Sequence, residues 1–150
     1  MTFNDLMKFL FNDLKIEPYK AKNDGSIEIV FDDLVVDFIP YEKNHVIISS
    51  YLCSISENNK SNMDLIKKLL NLNYKKSLKT TEGVLCKELD SSKIILYSKF
   101  DIQNIIPADF NKKVKNFVNN LESWKKFIDK MNSENRGKQT FQPQQTFNFI

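Results

Sequence analysis

The stretch Asn23 to Ser54, NDGSIEIVFDDLVVDFIPYEKNHVIISSYLCS, decides the fold. Ser26 to Phe31 alternates, with Ile27, Ile29 and Phe31 on one side, and Asp32-Asp33 leads into Leu34 to Ile39, where Leu34, Val36 and Phe38 share a face. Alternation of period two on both sides of a short polar turn predicts a β-hairpin. Asn23-Asp24-Gly25 predicts the turn before it, because Gly and Asn tolerate positive φ. After Pro40-Tyr41-Glu42-Lys43-Asn44, the β-branched run His45 to Ser54 predicts a longer third strand. It sets Val46, Ile48, Ser50 and Leu52 on one side and Ile47, Ser49, Tyr51 and Cys53 on the other. Both faces are partly apolar, so this strand belongs inside the sheet.

On the N-terminal side, Thr2 to Lys15 predicts a helix, since Phe3, Leu6, Met7, Leu10 and Leu14 fall in a stripe about 100° wide at helical period. Phe9 and Phe11 lie outside that stripe. Thr2 and Asn4 are the capping candidates, and Glu17-Pro18 ends the helix because the residue before Pro avoids the α region. On the C-terminal side, the polar loop Glu57 to Asn62 precedes a second helix over Met63 to Asn73. Met63, Ile66, Leu69 and Leu70 form one stripe there, and Leu65 and Leu72 a second, so the helix is buried on two faces or shared with a partner. Gly83 to Leu89 and Lys93 to Phe100, joined by Asp90-Ser91-Ser92, predict a second hairpin. Beyond Pro107, the apolar residues Phe110, Val114, Phe117, Val118, Leu121, Trp124, Ile128 and Met131 keep helical spacing over about six turns. Lys112, Lys113, Lys115, Lys125, Lys126 and Lys130 point mostly elsewhere.

The expected architecture is α+β in the order α-β-β-β-α-β-β-α, with an antiparallel twisted sheet packed against the helices. Residues 1–131 form the domain. Residues 132–150 form a C-terminal tail, flexible in expectation, in which Phe141, Phe147, Phe149 and Ile150 stand among glutamines, apolar enough to dock in a groove of this or another chain.

Composition narrows the function. The 150 residues suit one domain with its own core, and 41% apolar with 27% charged residues is ordinary for a soluble globular chain. With three Gly there is no GxGxxG or GxxxxGK[ST] phosphate loop, and His45, Cys53 and Cys86 lack metal-site spacing. No metal, cofactor or catalytic group is expected. The two cysteines read as small buried apolar side chains of a reduced, cytoplasmic protein. His45 reads as a partly exposed polar residue at a strand entry, and Asp32, Asp33 and Asp37 as turn and strand residues; neither set supports a hydrolase. Charge is uneven: residues 1–75 hold nine Lys and eleven acids, residues 76–150 thirteen Lys and Arg and eight acids. The basic second half opens an alternative, a nucleic-acid-binding module using the last helix. Against it, Trp124 lies on the apolar stripe and leaves those lysines without a stacking platform.

The element order resembles the class I chaperones of bacterial type III secretion, the Tir-chaperone type. The likeness rests on the opening helix ending near Leu14, on NDGSIEIVFDD, on LIKKLLNLNY at 65–74, on GVLCKELDSSKIILYSKF at 83–100 and on the closing FNKKVKNFVNNLESWKKFI at 110–128. It implies a cytoplasmic bacterial homodimer, not an enzyme, that binds the non-globular N-terminal segment of one or more secreted effectors and keeps them soluble and secretion-competent without ATP. Its implied partners are effectors, a second copy of the chain and the secretion ATPase, with no nucleic acid and no membrane insertion. Combined with the apolar pattern, it points to Phe9, Phe11, Ile27, Ile29, Phe31, Val35 and Ile39 for effector contact, where an extended peptide adds to the first hairpin. Leu65, Leu69, Leu72, Val84 and Cys86 are the expected dimer contacts.

Overall fold

A computed structural model describes residues 1–17, 21–55, 60–77 and 83–139. The elements are α1 (Phe3–Leu14), β1 (Ile27–Phe31), β2 (Leu34–Tyr41), β3 (His45–Ser54), α2 (Lys60–Ser77), β4 (Val84–Lys87), β5 (Lys93–Asp101) and α3 (Pro107–Gln139). Their order is the expected one, and the sheet is antiparallel throughout with strand order β1-β2-β3-β5-β4.

Local chemistry explains each boundary. Thr2 and Asp5 build a reciprocal capping box, the Asp5 N–H donating to Thr2 Oγ1 at 3.2 Å while the Thr2 N–H donates to Asp5 Oδ2 at 3.2 Å. The Thr2 hydroxyl, which donates to Asp5 Oδ2 at 2.6 Å, and then the Thr2 N–H hold the Asp5 carboxyl below its ordinary pKa. At the other end Lys15 takes a left-handed conformation, φ 55°, and its N–H returns to the Asn12 carbonyl at 3.3 Å. The turn into β1 is an Asx type: Asp24 Oδ1 accepts from the Ser26 N–H at 2.9 Å and its hydroxyl at 2.6 Å, with Gly25 at φ +81°.

One face of the sheet is packed. Ile27, Ile29, Leu34, Val36, Phe38, Val46, Ile48 and Leu96 are buried on it, and register joins them across strands, as in Ile29 opposite Val36 and Phe38 opposite Ile48. α3 crosses this face over β2 and β3, with α1 beside it. Phe110 anchors the crossing, its ring edge-on to Phe100 at 6.1 Å and to Phe38 at 6.5 Å. The α3 stripe is buried from Phe110 to Met131, including Trp124 at 1% exposure. The helix continues to Gln139, eight residues past Met131, where apolar periodicity ends; residues 140–150 and the Phe141, Phe147, Phe149 and Ile150 expectation lie outside the described residues.

Three local expectations change. Phe11 is buried with Leu6, Met7 and Leu10, so α1, which packs against α3, buries a wider arc than the one stripe. Register shifts between Tyr51 and Cys53, so Leu52 is bulged out of the pairing and Cys53 sits opposite Ile94, packed against the core rather than on the Ile47 side. On α2, Leu65 and Leu69 are buried and Ile66 and Leu72 half-buried, whereas Met63 and Leu70 are exposed.

Candidate functional site

The two edges of the sheet differ. β4 ends the sheet on one side, and α2 lies against it. From α2, the Asn73 carboxamide faces the strand: its Oδ1 accepts from the Leu85 N–H at 3.0 Å and its Nδ2 donates to the Leu85 carbonyl at 3.3 Å. A side-chain amide thereby supplies the donor and acceptor that another strand would. Asn73 escaped sequence reasoning, although its place among Leu69, Leu72 and Lys76 on the inward side of α2 was the available signal. Lys76, one turn on, bonds Asn120 Oδ1 at 3.1 Å and lies 4.6 Å from the centre of the Trp124 ring. Burial pushes its pKa below the ordinary lysine value, so the ring face stabilises an ammonium that has lost part of its water.

At the other side β1 is the terminal strand, paired only with β2 among the described residues. Beyond its Phe31 end, α1 and α3 bound an open groove of about 1020 Å³. Leu10, Leu14, Phe31, Val114 and Val118 give it an apolar floor, and Asp13, Lys112 and Lys115 stand around it. A second groove, between α2 and the β4–β5 hairpin, has a cavity volume of about 180 Å³ and is lined by Ile55, Ile66, Leu69, Leu70, Leu85 and Ile94, with Cys86 and Lys87. A third apolar surface is the sheet face opposite the helices. Val30, Val35, Tyr51 and Val84 are exposed there, with Ile39, Ile47, Ile95 and Tyr97 half-buried.

The residues expected to meet an effector divide among these places. Phe31 lines the α1–α3 groove, and Phe9, 52% exposed, lies one helical turn before the groove residue Asp13 on the same flank of α1. Val35 and Ile39 lie on the open sheet face. Phe11, Ile27 and Ile29 are buried in the core; Ile27 and Ile29 share the packed face of β1 with Phe31, which at the strand's end is half-buried and lines the groove. Of the expected dimer residues, Leu69 and Cys86 line the α2–β4 groove. Leu65 is buried, Leu72 half-buried and Val84 38% exposed on the open face.

Among the described residues no three His, Cys, Asp or Glu side chains could hold a metal ion, and no helix is long and apolar enough to cross a membrane. The carboxylates Asp37 and Glu28 meet Lys22 Nζ at 2.9 and 3.0 Å, an ion pair on the strand surface that raises the Lys22 pKa, rather than a catalytic pair. Both thiols are free, and burial pushes Cys53 and Cys86 above the ordinary thiol range. His45 is partly exposed, with Nδ1 3.4 Å from Glu42 Oε2. What the described residues offer is apolar grooves and, at β1, a strand edge paired on one side.

Comparison with known proteins agrees. The family model of the Tir chaperone protein (CesT) family matches residues 5–125. The chain belongs to this family. No curated protein sequence matches it. Among solved structures, the fold of this Tir-type chaperone is similar to a chain of the HopA1–SchA chaperone–effector complex, at 11% identity and TM-score 0.66 over 83% of this chain and 93% of that one. It is similar to a chain of the ExsC–ExsE complex at 12% identity and TM-score 0.63, covering 84% and 96%. A third likeness is to the structure of the Yersinia pestis type III secretion chaperone SycH with a fragment of YscM2, at 16% identity and TM-score 0.57, covering 82% and 99%.

Proposed function

We propose that this chaperone of type III secretion binds the non-globular N-terminal segment of one or more secreted effectors and keeps it soluble and secretion-competent without ATP. The observation that carries the reading is the pairing of a terminal strand, β1, with an apolar groove at its end, while the opposite edge is closed by Asn73. An extended segment adds to β1 through main-chain hydrogen bonds, and its side chains reach Phe31 and the groove floor on one face and Val30 and Val35 on the other. Binding an unfolded segment costs ordering entropy, so contact must spread over a large area instead of one pocket.

That area is larger in a dimer. The α2–β4 groove, with the exposed Leu70 beside it and Val84 at its strand, is an apolar patch that a two-fold axis can use twice. In this reading the chain acts as a cytoplasmic homodimer with no catalytic activity of its own, and the loaded complex is handed to the secretion ATPase. Co-expression with the N-terminal segment of the secreted protein encoded beside it tests the binding. A soluble complex in which the segment resists protease is expected; a segment digested equally fast with and without the chaperone contradicts the reading.

A further inference from the structure

The charge around the two grooves is unequal. The α2–β4 groove has a single charged lining residue among the described ones, Lys87. A hollow beside β5 and the start of α3 sets Lys99 and Lys113 against Asp101 and Asp109, a balanced set that selects neither sign. The α1–α3 groove carries two lysines, Lys112 and Lys115, against Asp13. Lys112 and Lys115 are three residues apart, so they stand on neighbouring turns of one flank of α3, and both are exposed. Neither has an ion-pair or hydrogen-bond partner among the described residues. The groove also includes Ala108 and Asn111 from the start of α3, the end of a helix where the macrodipole favours negative charge. Asp13, on the α1 wall, puts the opposite sign on the far side.

We infer that the α1–α3 groove takes an amphipathic client segment whose apolar side chains fill the floor of Leu10, Leu14, Phe31, Val114 and Val118 and whose Asp or Glu side chains meet Lys112 and Lys115. This rests on the client-binding reading above and adds the sign of the client's charge and its orientation. Acidic residues face α3, and neutral or basic ones face α1. The lysines are solvent-exposed, so they set on-rate and selectivity more than total affinity, and the floor supplies most of the contact.

The test uses the full chain and, as probe, the fluorescently labelled N-terminal segment of the secreted protein encoded beside it, with Kd from anisotropy at about 50 mM and about 500 mM salt, across which exposed charges become screened. The double variant Lys112→Glu/Lys115→Glu is expected to bind about fivefold or more weakly at low salt, with the gap closing at high salt. The charge-matched control Lys126→Glu/Lys130→Glu, further along α3, is expected to bind like the parent. If the first variant loses its fold by circular dichroism, Lys112→Gln/Lys115→Gln replaces it and should show a smaller loss with the same salt signature. Parent-like binding by the Lys112/Lys115 variant at both salts, or an equal loss in the control, overturns the inference while leaving client binding intact. No binding by the parent at either salt overturns the client reading itself, and this inference with it.

Discussion

Asn73 closes one edge of the sheet with a single side chain. Replacing it with Leu leaves the Leu85 N–H and carbonyl without their partners at a half-buried position, and an unmade hydrogen bond of this kind costs about 1–3 kcal/mol. Chemical denaturation of Asn73→Leu is expected to show a loss in that range, with a lower aggregation threshold from the bared edge. Gly83 is a second such residue. Its φ is +109°, and an added Cβ would lie 3.0 Å from Leu96 Cδ1 and 3.2 Å from Asn120 Nδ2. Gly83→Ala therefore meets both a backbone penalty and crowding, and a loss of about 1–3 kcal/mol is expected by the same measurement. Asp24 gives a pH signature. Its hydrogen bonds from Ser26 hold the carboxyl below its ordinary pKa. The stabilisation is present above the unfolded pKa and is lost as pH falls through the lower folded one. Asp24→Asn should flatten the acid limb of the stability profile; an unchanged limb would show the carboxylate contributes nothing there. Cys53 and Cys86, raised by burial, should react slowly with a thiol reagent at neutral pH and faster once the chain is unfolded.

At the scale of elements, the order of helices and strands was legible because each has a distinct period and short polar turns between strands leave few ways to pair them. β3 runs from His45 to Ser54 as its β-branched run predicts. The α3 stripe buries Trp124 as its spacing demands. Phe11 lies outside the stripe that apolar spacing marks on α1, yet it is buried in the shared core. Cys53 follows strict alternation until the bulge at Leu52 shifts it inward. On α2 the inward side includes polar Asn73 and Lys76, so a count of apolar residues alone misplaced the axis toward Met63 and Leu70. The site was legible in part: Phe9 and Phe31 sit on or beside a groove, but Ile27 and Ile29, on the same face as Phe31, are buried, because period-two alternation tells which residues share a face and not how far along the strand that face is covered. The Lys76–Trp124 contact joins α2 to α3, and Lys76→Ala should loosen that joint, lowering Tm by a few degrees for a loss of about 1 kcal/mol.

At the scale of the whole molecule, the charges, grooves and edges divide the labour. The first half of the chain supplies the terminal strand and one wall of the α1–α3 groove, and the basic second half supplies the other wall and the helix that holds both layers together. A binding protein of this design needs no deep pocket and no activated side chain, and in the function proposed above its two grooves serve two different associations, one with a client and one with a copy of itself. Both are read together by the light-scattering mass of the chaperone purified with the co-expressed N-terminal segment of its neighbouring secreted protein. The account predicts two copies of 17.6 kDa plus the segment in one species. A single 17.6 kDa species with no segment attached would contradict it.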